Sequence, residues 1–166
     1  MAKISTKITN YLDKNEYKYE IIEHKTTFTA WDTAQTEKAK PEAVCKTLIL
    51  KADSDWTVAV LPSNRNLDKA KFLKLFNTDK KKKGEKAAKK IEFAKETWMK
   101  KNIIGKLGAV PPLKGLLKKD IFIDKLVLKN KKIYIGSGEY EFSIYILASQ
   151  YVKKETPIEG NFSVKK

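Results

Sequence analysis

The sequence predicts an α+β domain built on a mixed, strongly curved, barrel-like β-sheet with helices around it. Three observations predict this class. Short β-type runs come in neighbouring pairs, at Val44–Lys51 with Trp56–Leu61 and at Ile133–Ile135 with Phe142–Leu147. Segments of helical period lie between other strands, so hairpins are mixed with crossovers. The chain has 166 residues and a hydrophobic content of 42%, enough for one domain with a full core, expected to span residues 1–166.

The elements follow in order. Ile4, Ile8, Tyr11 and Leu12 have helical spacing, and Ser5 or Thr6 can cap the start. Tyr17, Tyr19 and Ile21 alternate with polar residues, as in a strand ending near His24. A short helix follows Thr26-Thr27 and runs toward Ala39, where Pro41 stops or restarts it. Asp53-Ser54-Asp55 joins the next two strands as an antiparallel hairpin, which ends at Pro62-Ser63-Asn64. Leu67, Ala70, Leu73 and Phe76 form one helical stripe. The charged run Asp79–Lys90 reads as a solvated loop or helix end, or as a contact for an RNA backbone. Ile91–Ala94 predicts a short strand, and Glu96–Asn102 a short helix with Trp98 and Met99 inward. Ile121 and Ile123 predict a strand. Asn130–Lys132 turns the chain into Ile133–Ile135, Gly136–Gly138 turns it again, and Phe142–Leu147 and Ala148–Lys153 read as strand and helix. The tail after about residue 156 is expected to be loose. No internal repeat or linker divides the chain.

Composition excludes several chemistries. One histidine, His24, and one cysteine, Cys45, cannot supply a clustered zinc site. There is no GxSxG elbow, Walker loop or GxGxxG fingerprint. No cofactor or metal is expected. A lone cysteine suits a reducing cytoplasm, and the polar N-terminus lacks a signal-peptide core. No apolar stretch is long enough to span a bilayer. The formal net charge is +15, which draws polyanions. Arg65 is the only arginine. The basic surface therefore reads equally as a face for RNA or as a solvated lysine coat, because bidentate phosphate or base readout usually enlists arginine.

Lys46 carries the clearest chemical signal. It opens the apolar run Thr47-Leu48-Ile49-Leu50, and two glycine segments follow far downstream, Gly108-Ala109-Val110-Pro111-Pro112 and Gly136-Ser137-Gly138. A cation at the start of a buried strand and two glycine turns can frame a pocket for a phosphorylated or esterified ligand. The expected arrangement is an ammonium group and a rigid glycine–proline wall converging on one cavity. Cys45 points to the opposite strand face from Lys46 and reads as core.

In that order, Glu23-His24, Lys46-Thr47-Leu48, Val58-Ala59-Val60-Leu61-Pro62, Leu67-Asp68, the GxxxP loop Gly108–Pro112 and Gly136-Ser137-Gly138 resemble the YbaK and prolyl-tRNA-editing family of aminoacyl-tRNA deacylases. The resemblance runs over nearly the whole chain, to about Tyr151. It departs from the family pattern at Asn102-Ile103-Ile104-Gly105, at the extra Pro111, and at the acidic Glu139-Tyr140-Glu141. It implies a free-standing, cytoplasmic, metal-independent hydrolase that cleaves the ester of a mischarged tRNA, of the Cys-tRNA(Pro) or Ala-tRNA(Pro) type. The implied partners are tRNA(Pro) and prolyl-tRNA synthetase, with no membrane and no DNA.

The resemblance also implies site roles. Lys46 binds the 3′-end and orients the ester; without the family pattern it would read as a lysine snorkelling to water. Backbone N–H groups around Gly108, Ala109 and Val110 face the carbonyl oxygen, stiffened by Pro111 and Pro112. Gly136, Ser137 and Gly138 line the adenosine-end pocket. His24 reads as a pocket-rim histidine rather than a general base. Trp31, Trp56 and Trp98 read first as core rather than as base-stacking platforms, and Trp31 on the early helix is the one of the three placed to line the amino-acid pocket. Substrate groups assist hydrolysis, either a ribose hydroxyl or a thiol. A second reading takes Gly105-Lys106-Leu107-Gly108 as the GxxG loop of a KH domain in a non-catalytic RNA- or tRNA-binding module, although Pro111-Pro112 disfavours the helix that must follow such a loop.

Overall fold

The computed structural model describes residues 3–166. In chain order its elements are α1 (Thr6–Lys14), β1 (Tyr19–Glu23), α2 (Ala30–Glu37), β2 (Cys45–Ala52), β3 (Asp55–Pro62), β4 (Arg65–Leu67), α3 (Lys69–Lys82), β5 (Ile91–Phe93) and α4 (Glu96–Asn102). They continue with α5 (Lys114–Leu117), β6 (Ile121–Asp124), β7 (Lys132–Gly136), β8 (Phe142–Leu147), α6 (Ala148–Glu155), β9 (Ile158–Gly160) and β10 (Ser163–Lys165). Local chemistry sets several boundaries. The Ser5, Thr29 and Asp68 side chains accept from the backbone N–H groups of Lys7, Asp32 and Lys71, capping α1, α2 and α3.

The central layer is a mixed five-stranded sheet in the order β5-β2-β3-β6-β9. β2 and β3 form the predicted antiparallel hairpin, and β3, β6 and β9 run parallel. β3 is buried over most of its length, as expected for a strand covered on both faces. One face, with Ile49, Val58 and Val60, packs on Ile8 of α1, on Ile133 and Ile144 of the antiparallel sheet β1-β8-β7, and on Tyr151 of α6. The other, with Leu50, Ala59 and Leu61, packs on Phe72, Phe76, Phe122 and Phe162. A parallel bridge from Val44 to Tyr134 links these two sheets. The α+β class holds. The sheets curve around the core without closing into the barrel that the sequence suggested.

Three further expectations need correction. The tail is not loose: β9 pairs with β6, β10 pairs with β4, and Phe162 is fully buried. Asp124 holds it there, its buried carboxylate accepting from the backbone N–H groups of Phe162 (3.0 Å) and Ser163 (2.9 Å). In α3 the inward stripe is Phe72 and Phe76 with Leu73 and Leu75 beside them, while Ala70 is exposed and Leu67 belongs to β4. Ile21 is exposed because β1 is an edge strand.

Candidate active site

The segment after α4 is a tight loop. Gly105 and Gly108 have φ of 93° and 84°, a region glycine enters without a Cβ clash. The turn between β7 and β8 clasps this loop: the Lys106 N–H donates to the Gly138 carbonyl at 3.0 Å, and the Gly138 N–H to the Ala109 carbonyl at 2.7 Å. No side chain fits at Gly136, where a Cβ would lie 2.4 Å from the Val110 carbonyl oxygen. Ser137 is buried and donates to the Phe142 carbonyl at 2.6 Å, so it holds the turn. Pro111 and Pro112 are buried behind the loop, and the Tyr151 hydroxyl donates to the Pro112 carbonyl at 2.6 Å. Gly108 to Pro112 and Gly136 to Gly138 therefore form one continuous wall. The Ala109 N–H is used inside it, donating to the Lys106 carbonyl at 2.9 Å.

The wall closes one end of a cavity of about 30 Å³ between α2 and strands β7 and β8, bordered by Thr33, Cys45, Gly108, Ala109, Glu139 and Ser143. Such a volume admits one or two water molecules. Lys46 does not enter it. Successive residues of β2 face opposite ways, so Cys45 borders the cavity and Lys46 leaves from the other face, its ammonium donating to the Arg65 carbonyl at 2.5 Å. The expectation that cation and wall share one cavity is thereby corrected: Cys45 borders the cavity that the wall closes, and Lys46, the next residue of β2, points away from it. Burial, followed by repulsion from Lys166, lowers the Lys46 pKa to about 8. Burial pushes the Cys45 thiol up to about 12, so it stays protonated and is no nucleophile.

Trp31 also lies outside the cavity. It is 41% exposed, and the Lys166 ammonium stands 5.1 Å above its ring. Lys166, which also repels the Lys46 ammonium, thus joins Trp31 and Lys46 in a basic, aromatic ledge. His24, just past β1, is joined to the cavity through Ser143, whose Oγ is 2.9 Å from Nε2. Phe28 and Tyr140 meet edge to face at 4.8 Å, and the Lys106 ammonium is 2.7 Å from the carboxylate of Glu139, which borders the cavity.

Several of these residues escaped the sequence reading. Ser143 is the single small hydroxyl in the apolar run Phe142–Leu147, which was its only local signal. Thr33 bonds the Thr27 hydroxyl at 2.7 Å across the start of α2, a pairing that no periodicity suggests. Thr47, on the same strand face as Cys45, has a buried Oγ1 without a hydrogen-bond partner among the described residues. Among those residues no three His, Cys, Asp or Glu side chains group as metal ligands would, and no helix is long and apolar enough to cross a membrane.

Residues 24–154 match the family described as the aminoacyl-tRNA editing domain. The chain belongs to this family. Solved structures with the editing-domain fold of this chain include the hypothetical protein APE2540, at 18% identity and a TM-score of 0.79, covering 95% of this chain and 99% of that one. A candidate trans-editing enzyme for prolyl tRNA synthetase superposes with a TM-score of 0.78 at 14% identity, over 100% of this chain and 99% of that one. A scaffold used for computational epitope grafting gives a TM-score of 0.78 at 12% identity, with 100% of both chains covered. Among curated proteins no sequence matches this one. The KH alternative fails on the editing domain's own geometry: no helix follows Gly108 until the four-residue α5 at Lys114.

Proposed function

We propose that this editing domain is a trans-acting deacylase that hydrolyses the ester of a mischarged tRNA(Pro), of the cysteinyl or alanyl kind. The observation that carries this reading is the clasp of the Gly105–Val110 loop by the Gly136–Gly138 turn. It fixes a rigid backbone wall beside a polar cavity, with a lysine one residue away along β2. An aminoacyl ester is already activated, so positioning and stabilisation of the developing oxyanion supply much of the catalysis.

In this reading the ester carbonyl lies at the cavity mouth, near the Gly108 N–H. The Ala109 N–H is excluded as an oxyanion donor because it is spent on Lys106. Lys46 works from the outer ledge, exchanging the Arg65 carbonyl for a phosphate of the tRNA 3′-end. Trp31 beside it offers a face on which a terminal base can stack. Prolyl-tRNA synthetase is the natural partner of a domain acting in trans on tRNA(Pro).

The test is ester loss from tRNA(Pro) charged with cysteine, alanine or proline, followed over time with and without the protein. Turnover of one mischarged species, with Pro-tRNA(Pro) spared, is the expected result. Salt-sensitive binding without turnover of any species would overturn the reading in favour of a tRNA-binding module.

A further inference from the structure

His24 is held in one protonation pattern by its neighbours. Its Nδ1 lies 2.8 Å from the Lys25 carbonyl oxygen. A carbonyl only accepts, so Nδ1 carries the ring hydrogen, and in the neutral ring Nε2 presents a lone pair. The Ser143 Oγ, 2.9 Å from Nε2, must then donate its hydrogen to the ring. Ser143 is 5% exposed and borders the cavity of about 30 Å³ that Gly108 and Ala109 also border. Its remaining lone pairs are the ones available to a guest in that cavity. A hydroxyl donating to a histidine, whose other nitrogen is pinned by an acceptor, is the arrangement that activates hydroxyl groups for proton transfer.

We propose that Ser143 and His24 form a proton relay for a hydrolytic water held in this cavity. The proposal rests on the deacylase reading and supplies the protein-borne base which that reading lacks. Ser143 touches the water, and His24 is the base behind it. As the water oxygen bonds to the ester carbonyl carbon, its proton passes to the Ser143 Oγ while the Ser143 proton passes to Nε2. The bond from the carbonyl carbon to the ribose oxygen then breaks, and the proton stored on His24 returns along the same path to that oxygen. One water is consumed per ester, giving a free amino acid and a free 3′-end. Ser143 serves as relay rather than nucleophile, because its hydroxyl opens on a space large enough for water but too small for an aminoacyl group.

Charged groups surround the pair. Lys25 adjoins His24 in the chain, the carbonyl of Glu141 accepts from the His24 N–H at 2.9 Å, and Glu139 borders the cavity while paired to Lys106. The relay works only with the ring neutral. Its signature is therefore a rate that rises with pH through one ionisation.

The experiment compares the unsubstituted protein with His24→Gln and Ser143→Ala on a mischarged tRNA that the unsubstituted protein hydrolyses. Single-turnover rates are recorded across pH, with uncharged-tRNA affinity and thermal unfolding alongside. The expected result is a loss of roughly a hundredfold in rate for each variant. The double variant should be no worse than either single one, tRNA affinity should be unchanged, and the acid limb should be absent in His24→Gln. Replacement of His24, half-buried at a strand end, keeps the test valid if Ser143→Ala unfolds. Rates within about threefold of the unsubstituted protein, or an acid limb that persists in His24→Gln, overturn the relay and leave the deacylase reading standing. No turnover of any ester by the unsubstituted protein overturns both.

Discussion

Replacing Gly108 with alanine tests the wall directly, because the structure separates two costs. The first is conformational: at a φ of 84° a side chain is strained, at roughly 1 kcal/mol. The second is steric: a Cβ at Gly108 would sit 2.1 Å from the Phe28 carbonyl oxygen. Ordinary contact begins near 3.4 Å, so either the loop or the Phe28–Thr29 backbone must retreat by roughly 1 Å. A misplacement of that size at a reacting centre costs about a hundredfold in rate. Gly84 supplies the control. Its φ of 68° carries the same kind of strain, but a Cβ there would meet nothing within 4 Å. Gly84→Ala should therefore lose about 1 kcal/mol and keep full activity. Gly108→Ala should lose more stability and about two orders of magnitude in deacylation. Urea denaturation and single-turnover ester loss, measured on both variants, make the comparison. Equal stabilities with undiminished turnover in Gly108→Ala would refute the assignment of that loop as the carbonyl-facing wall.

Other predictions follow from single contacts. The Lys46 pKa, lowered to about 8 in the folded state from 10.5, means that the unfolded chain binds the extra proton between those values. Stability should thus rise with pH across that window, and Lys46→Met should flatten the rise in urea titrations. Above about pH 8 the uncharged amine no longer attracts phosphate, so kcat/KM should fall there, and Lys46→Arg should move that fall to higher pH. Asp124→Ala strips the acceptor from the buried N–H groups of Phe162 and Ser163. It should cost on the order of 3 kcal/mol and speed amide exchange along β9 and β10. Phe162→Ala empties a fully buried site against Phe72 and should cost about 3–5 kcal/mol, read from thermal or urea unfolding.

Much of the fold was legible because its causes are local. The β2–β3 hairpin shows itself as two β-branched runs joined by Asp53-Ser54-Asp55, and α1 by Ser5 ahead of Ile8 and Leu12 one turn apart. Cys45 and Lys46 could be assigned to opposite strand faces from alternation alone, and they lie so. The tail was misread because its stability is wholly non-local. β10 pairs with β4, and the tail's buried amides end on Asp124, with 38 residues separating Phe162 from its acceptor. In α3 two apolar stripes were compatible with helical period, and only the position of Phe122 and Phe162 selects the one through Phe72 and Phe76.

The candidate site divides in the same way. Its glycines and prolines announce themselves, since positive φ and close backbone approach leave few alternatives to glycine. That Gly136 abuts Val110, and that the cavity is lined by Cys45 rather than Lys46 and measures only about 30 Å³, were invisible. So was the bond between His24 and Ser143, which are 119 residues apart.

The linear chain by itself determined which segments become helices and strands, the hairpin at its centre, and the glycine and proline turns with their family pattern. Each of these depends on neighbours within a turn or two of backbone. Tertiary structure alone decided which faces meet, how little space they enclose, and which hydroxyl a lone histidine reaches. Those outcomes are set when three sheets and six α-helices bury their apolar faces together, a compromise that no short window of sequence contains.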